Sequence, residues 1–234
     1  MYFLGIETAT EVCSVVLYHN EQLIAIEYTD NPKAHSQYLT LFIEKVLRTA
    51  NITPKDINAV VLSEGPGSYT GLRIGMSAAK GIAYALDIPL MLISSTMVAA
   101  YSGLSYISQD NATVVGIIDA PNKELFIQCF TVTLRELVSI MPPRHCIADE
   151  NILFTLDINT ERPVYLSGKG ASKIKQCYPD NENIIVLDKA KQDMQNLGKW
   201  LTQTYQNKVF ADTELCEPLY IKDFLPILKP KKIK

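Results

Sequence analysis

An apolar run that stops on an acid and enters a turn occurs twice in this chain, and the repeat limits what it can fold into. Gly5-Ile6-Glu7 leads through Thr8-Ala9-Thr10 to a β-rich run at 13–18, then through His19-Asn20-Glu21 to another at 23–28. Short runs joined by tight turns read as an antiparallel meander. A helix over 36–50 follows, with Leu39, Phe42, Ile43, Val46, Leu47 and Ala50 on one stripe. Residues 59–63 form a wholly apolar strand of the buried kind. A glycine-rich turn then opens a helix over 69–86, stopped by Asp87-Ile88-Pro89, and a strand at 90–93 leads to helical residues 94–103.

The pattern restarts at Gly116-Ile117-Ile118-Asp119, with strands at 125–132 and 137–140. A strand at 164–166 runs into Ser167-Gly168-Lys169-Gly170 and a short helix, then come a strand at 184–187 and a helix at 194–205. The spacing predicts an α/β chain of two lobes, 1–106 and 107–234, built from a βββαβαβα unit and a degenerate second copy. The last helix is placed to pack back on the first lobe.

At 234 residues either lobe can bury a core. The net charge of −3 gives no global attraction to nucleic acid. Five cysteines without a C-x-x-C pair argue against a disulfide framework and a thiolate zinc site. The N-terminal MYFLGIETAT has no basic segment and meets an acid at Glu7, so it reads as a strand rather than a signal peptide. No apolar run is long enough for a membrane span. The expected compartment is the cytoplasm, with no membrane partner.

The segment GPGSYTGLRIG, from Gly65 to Gly75, carries the functional signal. A buried strand, Gly65-Pro66-Gly67 and a helix entered near Ser68 make a mouth whose amides favour anions. The dinucleotide spacing fails because Thr70 stands where a third glycine belongs, and no Gly-Lys-Ser/Thr follows for a Walker loop. A plain helix-entry turn is the alternative.

The helix after the turn has two apolar faces. Leu72, Gly75, Met76, Ala79, Ala83 and Leu86 suit packing on a sheet; Gly71, Ile74, Ala78, Gly81 and Ala85 form a second stripe of mostly small residues. Arg73, Ser77, Lys80 and Tyr84 make a narrow polar strip. Two apolar faces imply burial on two sides. The cover is either the preceding helix, which carries Tyr38 and Leu41 off its own core stripe, or a helix of another subunit.

Glu7, Glu64 and Asp119 lie at strand ends, where a cleft between lobes could gather them round a divalent ion; plain solvation is the other reading. His19, His35 and His145 share no i, i+4 spacing, and no G-x-S-x-G elbow or triad is found. No catalytic residue and no metal ligand is assigned.

With IETATEVCSVVLY at the start, GPGSYTGLRIG after the fourth strand and EPLYIKDF at 217–224, the sequence resembles the TsaB (YeaZ) family over nearly its whole length. The resemblance implies the two-lobed actin/Hsp70/sugar-kinase fold. It also implies a non-catalytic partner of TsaD-like paralogues, which with a TsaE-like ATPase and ATP place a threonylcarbamoyl group on the adenosine beside the anticodon of ANN-decoding tRNAs. The family's first two helices pair with the same helices of the paralogue, or form a homodimer in its absence.

Where such paralogues carry a metal-binding His-x-x-x-His, this chain has Ser95 and Ala99, which cannot hold a transition metal. Ala120-Pro121-Asn122 lacks the glycines that let backbone amides approach phosphate. Glu7, Gly168 and Gly170 are the candidates for residual nucleotide binding, and Glu7 stands where the family commonly has aspartate. No tightly bound cofactor is expected here, ATP and the divalent metal belonging to the partner subunits. tRNA is expected to be reached mainly through the complex, and the tail Lys229 to Lys234 reads as a solvated end. The alternative reading is a stand-alone enzyme of this fold, a small-molecule kinase or a metallopeptidase.

Overall fold

The computed structural model describes residues 1–31 and 35–222. Pro32, the end of the 217–224 block (Asp223 and Phe224) and the lysine-rich tail lie outside the described residues. The first half runs β1 (Tyr2–Glu7), β2 (Cys13–His19), β3 (Gln22–Thr29), α1 (His35–Thr49), β4 (Ile57–Gly65), α2 (Tyr69–Leu86), β5 (Leu90–Ser94) and α3 (Ser95–Leu104). The second runs β6 (Thr113–Asp119), β7 (Glu124–Thr133), β8 (Glu136–Ser139), β9 (Arg144–Ile147), α4 (Ile152–Thr155), β10 (Val164–Ser167), α5 (Ala171–Cys177), β11 (Ile184–Val186) and α6 (Gly198–Gln206).

The sheet orders are β3-β2-β1-β4-β5 and β11-β10-β6-β7-β8. Counted from each half's own first strand, with β9 (which pairs β7 off this path) set aside, they are the same order. β1 pairs antiparallel with β2 and parallel with β4, and β6 repeats this with β7 and β10. A helix crosses over between the parallel strands of each copy, as parallel pairing requires. The duplicated acids therefore end the central strand of each sheet.

α3 lies between the halves and is buried on nearly every side, which explains why it shows no polar face. One apolar cluster joins Phe3, Val16 and Tyr18 of the first sheet to Val114 and Phe130 of the second and to Leu197 and Leu201 at α6. The Phe3 and Tyr205 rings meet at 5.4 Å, so α6 rests on the first sheet as well. A second cluster packs Leu39, Phe42 and Val46 of α1 and Met76, Ala79 and Ala83 of α2 on the other face of that sheet.

Two expectations change. The helix expected over 194–205 begins only at Gly198, because Met194 and Asn196 adopt left-handed φ values of 62° and 67°. The Tyr18 hydroxyl holds that bend, donating to the Met194 carbonyl at 2.9 Å and accepting from the Leu197 amide at 3.2 Å. The second copy also carries β9, which joins β8 on the β7 edge, and the single turn α4. Both are four residues long.

Residues 211–222 form a strap over the first lobe. The Ala211 amide donates to the Leu90 carbonyl at 2.8 Å and that of Leu219 to the Glu64 carbonyl at 2.8 Å. Lys80 of α2 donates to the Glu214 and Cys216 carbonyls at 3.0 and 3.1 Å. Lys222 then reaches Glu124 of the second lobe at 2.6 Å.

Candidate partner interface

The Gly65 turn is locked into its own chain. Ser68 caps α2, accepting from the Gly71 amide at 3.3 Å, while its own amide donates to the Ala9 carbonyl at 2.7 Å. The mouth expected to offer free amides is thus partly closed by the Thr8-Ala9-Thr10 turn after β1. Gly65 has φ +123°, and a Cβ there would stand 2.7 Å from the Leu219 carbonyl of the strap; one at Gly67 would stand 2.2 Å from the Ala9 carbonyl. Pro66 is buried and follows a cis peptide bond.

Gly71 leaves the partner stripe for the same reason. It is buried, and a Cβ would lie 2.1 Å from the Thr8 carbonyl oxygen, so its missing side chain serves the approach of β1 and not of another subunit. The rest of the stripe divides. Ile74 and Ala78 are half-buried against the cluster shared with α1, whereas Gly81 and Ala85 are exposed and nothing lies within 4 Å of a Cβ built at Gly81. The preceding helix therefore covers one edge of the face and leaves the other open.

The open face is completed by side chains from outside the stripe. Leu41 is 49% exposed, Tyr38 40% and Tyr84 79%. Ser77 is exposed too, whereas Lys80 is held by the strap and only half-buried. Arg73 stacks on the Tyr69 ring at 4.2 Å, and its Nε donates to the Tyr220 hydroxyl at 3.3 Å. Sequence reasoning placed Tyr84 and Ser77 in a polar strip and gave the 217–222 segment no position. Helical phase alone could have moved Ser77 and Tyr84 onto the outer face.

The cleft between the lobes, about 620 Å³, is lined by Ser68, Thr70, Asp119, Pro121, Lys169 and Gln192 among others. The three strand-end acids do not gather in it. Glu7 is wholly buried below the cleft, where its Oε1 accepts from the Ala9 amide at 2.5 Å and its Oε2 from Gln192 Nε2 at 3.3 Å. Burial pushes Glu7 up to about 7, against opposing hydrogen bonds from Ala9, Ser63, Gln192 and Thr8. Glu64 is not among the cleft's lining residues; the strap crosses at its backbone carbonyl, and burial raises its carboxyl too. Asp119 pairs with Lys173 at 2.7 Å. Among the described residues no three His, Cys, Asp or Glu side chains come together as a metal-binding group.

The second-lobe glycines also serve packing. A Cβ at Gly168, which has φ +114°, would stand 2.0 Å from the Ile117 carbonyl, and one at Gly170 would meet Leu125 and Ile117 side chains within 3 Å. Lys169 between them forms an ion pair with Glu11 across the cleft. His35 opens α1 and shares a hydrogen bond with the Thr10 carbonyl at 2.8 Å. Ser95, one of the two positions expected to lack a metal, hydrogen-bonds Ser63 at 2.8 Å.

Two lobes of like topology, meeting at a cleft beside the ends of their central strands, define the class of actin-, Hsp70- and sugar-kinase-like folds. Comparison with known proteins agrees. A family model described as TsaD, tRNA N6-adenosine threonylcarbamoyltransferase, matches residues 28–176, well over half of the chain. A Bacillus subtilis (strain 168) protein named tRNA threonylcarbamoyladenosine biosynthesis protein TsaB is 29% identical over 77% of this chain and 76% of its own. The Escherichia coli (strain K12) protein of that name is 35% identical over 54% of this chain and 53% of its own. A solved Pseudomonas aeruginosa structure, described as similar to the peptidase YeaZ, superposes with a TM-score of 0.82 at 20% identity, covering 94% of this chain and 99% of that one. The chain belongs to this threonylcarbamoyladenosine family, on its TsaB (YeaZ) branch. Among the described residues no helix is long and apolar enough to cross a membrane.

Proposed function

We propose that this chain is a non-catalytic subunit of the machinery that places a threonylcarbamoyl group on the adenosine beside the anticodon of ANN-decoding tRNAs. It acts by pairing its α1–α2 face with a TsaD-like catalytic paralogue, and a TsaE-like ATPase completes the complex. The observation that carries the reading is the open α1–α2 face: Leu41 of α1 and Gly81, Tyr84 and Ala85 of α2 are all exposed on two helices that pack on the same sheet. Exposed apolar area of this kind marks interfaces. Small residues let a partner helix approach closely, and the capped, strapped N-terminus of α2 holds the face rigid before binding.

The cleft supports the same division of labour. Its lysine, Lys169, is engaged by Glu11, its carboxylate Asp119 by Lys173, and the glycines of its second-lobe turn are used against Ile117. ATP and the divalent metal then belong to the partner subunits, and tRNA is met through the complex. Alone, the chain pairs with itself through the same helices. Co-purification with a tagged TsaD-like paralogue tests the reading: a one-to-one complex is expected, and its absence with both chains folded sinks it. A stand-alone kinase or peptidase would instead use the cleft, and would show it by binding ATP or a metal in calorimetry of the isolated chain.

A further inference from the structure

We propose that the strap, residues 211–222, is a charge-operated clasp that ties α2 to the second lobe's wall of the cleft, so that the seating of the strap and the position of that wall change together. The inference stands on contacts within this chain and is independent of the partner reading above.

On the first lobe the strap is seated by backbone and side chain together. The Ala211 amide bonds the edge strand β5, Lys80 of α2 holds the Glu214 and Cys216 carbonyls, and the Leu219 amide donates to the Glu64 carbonyl of β4. Tyr220 lies against the Tyr69 ring at 5.4 Å and accepts from Arg73 Nε at 3.3 Å, and the Glu217 charge adds attraction to the same guanidinium. The chain then leaves the first lobe. The Lys222 ammonium donates to both oxygens of Glu124 in the second lobe, at 2.7 and 2.6 Å. These two side chains are 47% and 28% exposed, so the pair is one that salt or substitution can release.

Glu124 opens β7 and closes the turn that lines the cleft with Asp119, Ala120 and Pro121. That turn is braced. The Ala120 amide donates to the Glu124 carbonyl and the Glu124 amide to the Pro121 carbonyl, both at 3.2 Å, while Lys173 gathers the Ala120 carbonyl at 2.6 Å and the Asp119 carboxylate at 2.7 Å. A pull on Glu124 is therefore passed to the cleft wall and not lost in a loose loop. His145 Nε2 also meets the Glu124 carboxylate, at 3.1 Å, but it belongs to β9 of the same lobe and bridges nothing. The lobes are joined as well by the apolar cluster of Phe3, Val114 and Phe130, which holds them whether or not the strap is seated. What the clasp adds is coupling: a change that loosens the strap loosens the wall by the same factor, and the reverse.

The test is hydrogen exchange of the full chain, with each substitution read in the opposite lobe. Lys222→Met is expected to quicken exchange at the Ala120 and Glu124 amides, and Glu124→Gln at the Leu219 amide, each about two- to fivefold. The double variant should exchange no faster at these amides than the faster single one, because both substitutions remove the same bond. Raising salt from about 0.05 to 0.5 M should quicken all three amides in the wild-type chain and leave the double variant unchanged. The β1 and β4 amides should stay protected throughout. Either substitution silent in the opposite lobe overturns the inference, as do effects that multiply in the double variant. Equal quickening at the β1 and β4 amides would mean a loss of global stability in place of a released clasp, and overturns it too.

Discussion

Two glycines of α2, ten residues apart, are expected to respond to the same substitution with opposite sign. A methyl group at Gly71 would stand 2.1 Å from the Thr8 carbonyl oxygen, whereas one at Gly81 would meet nothing within 4 Å. Ordinary carbon contacts need roughly 3.5 Å, so Gly71→Ala must push the helix N-terminus off the turn after β1 by about 1 Å or more. Overpacking of that size costs about 1–3 kcal/mol. The helix-propensity gain offsets little of it, since Gly71 lies in the first turn. Gly81→Ala, in the exposed helix interior, should gain about 0.5–1 kcal/mol. For a chain of this size, 1 kcal/mol moves the melting temperature by about 2–4 °C. Circular dichroism melts should therefore place Gly71→Ala roughly 2–12 °C below wild type and Gly81→Ala about 1–4 °C above it. A Gly71→Ala protein melting at or above wild type would refute the assignment of Gly71 to the fold, as would a destabilised Gly81→Ala for the open face.

Three further outcomes follow from the same geometry. Glu7 is raised from 4.5 to about 7 by burial, so between those values the folded chain keeps a proton that the unfolded chain has released. Stability therefore falls as pH rises through that window and levels off above it, by up to about 3 kcal/mol; in denaturation at pH 5 and 8, Glu7→Gln should lose that component, leaving the same-signed slope of Glu64 and Asp193, and a wild-type-minus-variant difference independent of pH would count against it. Lys80→Met removes the ammonium that binds the strap carbonyls, and hydrogen exchange at the Ala211 and Leu219 amides should quicken while the β1 and β4 amides stay protected; unchanged exchange would show that the strap is held by other means. Calorimetry of the isolated chain with ATP should give binding no tighter than about 1 mM, and a dissociation constant near 10 μM would restore the enzyme reading.

The duplication was readable because it is written in long signals: apolar strands ending on Glu7 and Asp119, and two helices with clear stripes. The helix over 69–86 was legible to the residue, since Ser68 caps it and Asp87-Ile88-Pro89 ends it. The site was less legible. Gly71 falls on the small-residue stripe by helical phase, but the carbonyl that fills its space comes from Thr8, a contact between segments about sixty residues apart that no local pattern encodes. The strap is held mostly through backbone groups and one lysine, so its side chains carry no periodicity to read. The cleft ion pairs, Glu11 with Lys169 and Asp119 with Lys173, likewise depend on how the two lobes meet or turn back on themselves.

The central claim is that the α1–α2 face, rather than the cleft, is what this chain contributes. The direct measurement is mass-spectrometric quantification of threonylcarbamoyladenosine in unmodified tRNA incubated with ATP, threonine, a bicarbonate source, the enzyme that supplies the activated group, the TsaD-like and TsaE-like proteins, and either wild-type chain or Gly81→Arg. Gly81 is exposed with open space above it, so the arginine should leave the fold intact and obstruct the face. The account predicts full modification with wild type and near-background modification with the folded variant or with no chain added. Full modification in either of those reactions would contradict it.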